Sequence, residues 1–156
     1  MIRKATSADI DGILRLIRAR MDWMDAVGIR QWNFTRYLDR YPRPYFEARI
    51  GAFFVAEEKG VLTGAMALFE EDPRWDRPGT AYYLHHLVSA PDAKGTGAEL
   101  VRFAEGYAKE RGKEFLRLDS AVDNAPLARY YEAMGYPASG TCDDGAYHGL
   151  LREKRV

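Results

Sequence analysis

Residues 84–112 read LHHLVSAPDAKGTGAELVRFAEGYAKERG. An apolar, strand-like run ends at Pro91. Gly95 and Gly97 follow, and an amphipathic run begins at once, with Leu100, Phe103, Ala104, Tyr107 and Ala108 at helical spacing. The pattern predicts a strand over 81–89, a tight turn, and a helix from Ala98 to Arg111 ended by Gly112. The first amides of a helix lack intrahelical acceptors and sit at the positive end of its dipole, so they form an anion site. Glycine lets backbone approach a phosphate without side-chain interference, and Lys94 adds a positive charge. A plain strand-to-helix turn would use glycines too. The stretch is not a Walker loop, because no Gly-Lys-Ser/Thr follows. It is not a dinucleotide fingerprint either, because Leu100 stands where a third glycine is needed.

Working outward, Ile2 to Ala5 reads as a first strand, and Thr6 or Ser7 caps a helix with Asp9 near its positive end. Ile10, Ile13, Leu14 and Ile17 form a buried stripe. The pattern continues into a second helical piece ended by Gly28. Tyr41 to Pro44 is expected to be non-helical, and a short helix covers Tyr45 to Ile50. Ala52–Glu57 and Val61–Phe69 are strands joined by a hairpin turn at Glu58-Lys59-Gly60. Asp72 to Gly79 is a loop. Phe115–Ser120 is a strand, and Asn124 caps a helix with Pro126 in its first turn and Gly135 past its end. Ser139–Thr141 and Tyr147–Arg152 close the chain as strands. This order describes an α+β sheet protein with helices on its faces.

The chain has 156 residues, enough for one domain. Its 23 basic and 23 acidic side chains cancel, so it lacks the electrostatic footprint of a nucleic-acid binder. No apolar run approaches the ~18 residues of a membrane span. The N-terminus has no apolar signal-peptide core, and a cytoplasmic location is expected. One cysteine, Cys142, excludes an internal disulfide framework or a cysteine-based zinc cluster. Three scattered histidines, His85, His86 and His148, predict no metal site.

The run Val88-Ser89-Ala90-Pro91, then Asp92-Ala93-Lys94-Gly95-Thr96-Gly97-Ala98 and a helix, resembles the acyl-CoA-binding motif of the GNAT superfamily of N-acyltransferases. Both glycines of the Gln/Arg-x-x-Gly-x-Gly/Ala pattern match, while Asp92 stands at its first position. A second segment, NAPLARYYEAMGY at 124–136, resembles the family's Asn-x-x-Ala-x-x-hydrophobic-Tyr-x-x-x-Gly-Phe pattern. Asn124, Tyr131, Gly135 and Tyr136 match, and Leu127 replaces the alanine. The resemblance implies a single N-acetyltransferase domain over 1–156. Its fold would be a mixed, mostly antiparallel twisted sheet of six to seven strands flanked by helices. Lys94, Gly95, Thr96, Gly97 and Ala98 would cradle the CoA pyrophosphate, with Asn124 also on the cofactor. The backbone of Leu87, Val88 and Ser89 would run beside the pantetheine arm. A homodimer is compatible with the family.

The implied reaction moves an acetyl group from acetyl-CoA directly to a primary amine. A base must take the ammonium proton, and the leaving thiolate takes up a proton. The resemblance makes Tyr131 the acid, with its hydroxyl on the thioester sulfur; the other reading is a packed helix tyrosine. Tyr130, one position away, is expected in the core. Strand alternation puts Tyr83, His85 and Leu87 on one face and Tyr82, Leu84, His86 and Val88 on the other. His85 resembles the family's strand base, with Tyr83 helping to order water. The alternative is a half-buried histidine bonded to a carbonyl; His86 is expected to be structural. Trp23, Asp25 and Trp32, with the loop containing Trp75, place aromatic and acidic groups on the acceptor side, or else the tryptophans are core. The acceptor is a small molecule or a peptide amine. Two rival functions use the same turn: a CoA-binding module without turnover, and a nucleotide-binding protein.

Overall fold

The computed structural model describes residues 1–156. Its strands are β1 (Ile2–Lys4), β2 (Phe53–Glu58), β3 (Val61–Phe69), β4 (Ala81–Ser89), β5 (Phe115–Ala121), β6 (Ala138–Asp144) and β7 (Tyr147–Arg155). Its helices are α1 (Ile10–Val27), α2 (Tyr37–Arg40), α3 (Arg43–Arg49), α4 (Thr96–Glu110) and α5 (Ala125–Ala133). The seven strands make one mixed sheet in the order β1-β2-β3-β4-β5-β7-β6, flanked by helices as the element order predicts. The chain divides into two compact units. One holds Met1–Leu68 and His85–Phe103, the other Phe69–Leu84 and Ala104–Val156.

In the first unit β1 pairs antiparallel with β2, placing Ile2 opposite Ala56, and β2 pairs antiparallel with β3, placing Phe53 opposite Ala67. Lys59 and Gly60 both adopt positive φ, 50° and 80°, which matches a tight hairpin turn to the strand twist. The Asp9 carboxylate accepts from the Thr6 amide at 2.8 Å and from Arg3 at 2.9 Å. The Arg3 guanidinium holds its carboxyl down to about 2. Ile10, Ile13, Leu14 and Ile17 are buried as one stripe. The two helical pieces expected before Gly28 are one 18-residue helix. No glycine or proline interrupts residues 13–27, and Met24 extends the buried stripe. Gly28 ends it with φ 74°. Pro44 is helical, against expectation. It lies in the first turn of α3, where a missing N–H costs nothing.

In the second unit Ala81, Tyr82 and Tyr83 of β4 pair in parallel with Phe115, Leu116 and Arg117 of β5. β7 pairs antiparallel with both β5 and β6. Trp75, Ala81, Tyr83, Cys142 and Leu151 pack as a core cluster. Two arginines are buried here, and each is held by several acceptors, although Arg152 Nη2 is left without one. Arg117, 1% exposed, donates to Glu153 at 2.9 Å, to the Pro78 carbonyl at 2.6 Å and to the Tyr83 hydroxyl at 3.2 Å. Arg152 donates to Ser120 Oγ and to the Tyr136 carbonyl, both at 2.9 Å.

Candidate active site

The glycine turn leaves β4 at Ser89, and the Ala90 amide donates to the Thr63 carbonyl of β3 at 2.9 Å. Ala93, Lys94 and Thr96 then donate to Ala90, Asp92 and Ala93 carbonyls, coiling the loop toward the helix. Gly95 takes φ 88°, a left-handed conformation in which a side chain is strained, while the space beside it is open. Helix α4 starts at Thr96, two residues before the predicted Ala98, so Thr96 and Gly97 belong to its first turn. Lys94 and Gly95 are exposed and Thr96 is buried.

A residue that sequence reasoning missed seats this turn. A methyl group on Gly64 of β3 would come within 2.8 Å of Thr96 Cγ2, 2.9 Å of Leu100 Cδ1 and 3.0 Å of the Val88 carbonyl. The first turn of α4 therefore rests directly on strand backbone. A glycine inside a strand signals such close approach, and that was the available clue.

In the C-terminal half of β4, His86 has φ 54°. A non-glycine residue held there costs on the order of 1–3 kcal/mol. The backbone leaves the extended conformation of a strand at this one residue, while His85 and Leu87 stay partly exposed and His86 and Val88 buried, as strand parity predicts. Residues 81–84 are all buried, whereas from His85 to Ser89 partly buried and buried positions alternate. His85 is partly exposed, and so are Leu87 and Ser89, while Val88 is buried. His86 is buried, with its ring nitrogens bonded to the Tyr37 and Tyr45 hydroxyls. The Ser89 carbonyl accepts two bonds from Arg20, at 2.6 and 3.1 Å, and Ser89 Oγ accepts a third at 3.0 Å. That carbonyl is thus already occupied. Burial lowers the affinity of the Arg20 guanidinium for its proton. Arg20 was not foreseen, because its partner is mainly backbone.

In the second unit, Asn124 caps α5. Its Oδ1 accepts from the Leu127 amide at 3.2 Å, the cap that the sequence predicts. The helix ends where Tyr136 N donates to the Tyr131 carbonyl at 2.9 Å and Gly135 takes φ 92°. The Tyr136 hydroxyl donates to Glu105 at 2.8 Å. Tyr131 is 6% exposed. Burial pushes its phenol well above the ordinary range, with smaller contributions from Tyr130 and Asp119. It keeps its proton at neutral pH. Tyr130, expected in the core, is exposed instead, because the helix turns about 100° between neighbours.

The acceptor-side candidates divide. Trp23 is exposed beneath the Arg20 guanidinium, 4.7 Å from its ring. Asp25 is exposed and accepts from Asn33 at 2.7 Å. Trp32 is partly buried and stacks on Tyr37, with ring centroids 4.5 Å apart. Tyr83 and Trp75 are core residues of the second unit, which for Trp75 is the buried one of the two expected readings. The Arg117 guanidinium lies 5.0 Å from the Trp75 ring, so that tryptophan covers a buried cation. Burial pushes the Cys142 thiol up to about 11, which makes it a poor nucleophile at neutral pH. No helix is long and apolar enough to cross a membrane.

A strand runs into a glycine turn at a helix N-terminus, in a mixed seven-stranded sheet. Residues 16–136 match the acetyltransferase (GNAT) family, and the chain belongs to that family. The Bacillus subtilis protein YesJ, an uncharacterized N-acetyltransferase, is 28% identical over 97% of this chain and 88% of its own. A GNAT-family acetyltransferase from Listeria monocytogenes has the same fold, with a TM-score of 0.77 at 25% identity, covering 100% of this chain and 94% of that one. The PaiA N-acetyltransferase of Thermoplasma acidophilum, solved with coenzyme A, gives a TM-score of 0.76 at 21% identity, covering 100% and 98%. The family and fold class expected from the two motifs are both met.

Proposed function

We propose that this chain is an acetyl-CoA-dependent N-acetyltransferase that transfers the acetyl group directly to a primary amine. The observation that carries the reading is the turn at 94–98. A left-handed Gly95 and an exposed Lys94 precede the first turn of α4, where the Thr96 amide donates back to the Ala93 carbonyl and the Gly97 and Ala98 amides come before the first intrahelical bond. That is a fitting seat for a pyrophosphate. PaiA, which shares the fold, was solved with coenzyme A. Acetyl-CoA supplies the activated acyl group. The backbone of Leu87 and Val88 lines the pantetheine arm, His85 accepts the ammonium proton, and Tyr131 gives its proton to the departing sulfur. The raised proton affinity of Tyr131 supports that role, since an acid must be protonated at the working pH. A high thiol pKa at Cys142 supports direct transfer over a covalent intermediate. The exposed Trp23 and Asp25 and the partly exposed Trp32 stay as acceptor-side residues; Tyr83, being core, does not.

The test is free-thiol release from acetyl-CoA across small amines, amino acids, aminoglycosides and peptides, with the acetylated amine measured in parallel. The expected result is thiol and acetylated amine in equal amounts for at least one class. Binding of CoA with no product would indicate a CoA-binding module, and binding of ATP but not CoA a nucleotide-binding protein. His85→Ala should abolish the acidic limb of the kcat/KM profile, checked with an acceptor of lower pKa. An unchanged limb would take the base role from His85.

A further inference from the structure

His86 combines three features that packing alone does not require. It is 8% exposed, it sits within β4, and its backbone is left-handed at φ 54°. Its ring is held from two helices. The Tyr37 hydroxyl of α2 bonds Nδ1, and the Tyr45 hydroxyl of α3 lies 2.8 Å from Nε2. Phe53 stacks on the imidazole with centroids 5.7 Å apart, and Tyr41 meets it edge-on at 4.8 Å. Trp32, stacked on Tyr37, braces that partner in turn.

A neutral imidazole carries one donor and one acceptor nitrogen, and a tyrosine hydroxyl serves as either. Both nitrogens are therefore satisfied in either tautomer, but only while the ring keeps this position. Ring position and backbone conformation are coupled through the short Cα–Cβ connection. If residue 86 relaxed to the extended conformation that a strand prefers, its imidazole would leave both hydroxyls and become a buried, unpaired polar group. The backbone that follows, Leu87 to Ser89, would swing with it.

We propose that His86 is a positioning residue, pinned by Tyr37 and Tyr45 so that β4 keeps a left-handed bend that aims the Leu87 and Val88 backbone at the pantetheine arm of CoA. The inference rests on the CoA reading given above. It separates two parts of one ligand: the pin acts on the pantetheine arm, while the glycine turn acts on the phosphates.

The experiment compares the affinities of CoA and of its adenosine bisphosphate moiety, which lacks the arm, by calorimetry on the full chain. The variants are Tyr37→Phe/Tyr45→Phe, which keeps the rings and removes the hydroxyls, and His86→Ala and His86→Asn. The double variant should bind CoA about tenfold more weakly or worse, with its affinity for the adenosine bisphosphate moiety unchanged. Asparagine tolerates the left-handed region, so His86→Asn should retain more CoA affinity than His86→Ala. If the His86 variants do not fold, the tyrosine variants carry the test. Unchanged CoA affinity in the double variant, or equal losses for both ligands, would overturn the proposal. A wild-type chain that binds the adenosine bisphosphate moiety but not CoA would overturn it too. A wild-type chain that binds neither would remove the CoA reading itself and the inference with it.

Discussion

In the glycine turn, Lys94 and Gly95 are exposed, and the proposed phosphate donors are main-chain amides at the start of α4. In the segment 124–136 the motif residues are turned inward. Asn124 caps α5, Tyr131 is buried, and Tyr136 bonds Glu105 while its carbonyl accepts from Arg152. Both stretches match one family pattern, for different physical reasons. On the proposed reading, the first uses small residues so that a ligand reaches the backbone. The second needs specific side chains because a helix must start, stop and dock in a way that fixes one hydroxyl. Substitutions should therefore act on ligand affinity in the turn, and on stability or turnover in the helix.

The largest expected effect lies in the helix. Tyr131→Phe should lower kcat by about 100-fold, the scale of a general-acid contribution, with KM for acetyl-CoA and the melting temperature little changed. Burial raises the phenol's pKa, so in the wild type the tyrosine stays protonated at its ordinary value of 10.0. An alkaline loss of activity at that value would therefore not come from Tyr131. A fully active phenylalanine variant would break the contrast between the two regions. Next is the seat of the turn. Gly64→Val places methyl groups against Thr96, Leu100 and the Val88 carbonyl. It should destabilise by ~1–3 kcal/mol and weaken CoA binding, measured by denaturant melts and calorimetry. A neutral Gly64→Val would show that α4 can lift off β3 without cost. Smaller still, Asn124→Ala should cost about 1 kcal/mol through the lost cap and leave CoA affinity close to wild type. A large loss of CoA affinity with little change in melting temperature would return Asn124 to the cofactor.

Much of this was legible in the chain itself. Strand limits at Val61–Phe69 and Ala81–Ser89 follow from apolar runs bounded by turn residues. The glycine turn, the Asn124 cap and the Gly135 stop follow from local rules that need no tertiary information. The rest depends on contacts distant in sequence. The left-handed backbone at His86 has no local signal, and the ring's partners Tyr37 and Tyr45 lie 49 and 41 positions away. Trp75 reads as a loop aromatic, yet it is buried beside Arg117. Arg20 has no local signal, because the Ser89 carbonyl it holds lies 69 positions away. Gly64 carries a local clue, a glycine inside a strand, but what approaches it is seen only once α4 is in place.

The central claim is that the turn at 94–98 holds the pyrophosphate of CoA through backbone amides. Calorimetry on Gly97→Val tests it most directly, titrating full CoA and a truncated pantetheine thioester into the variant and the wild type. The account predicts a large loss of affinity for CoA and a small one for the truncated thioester, with the melting temperature maintained. Equal losses for the two ligands, or a variant that binds CoA as tightly as wild type, would contradict it.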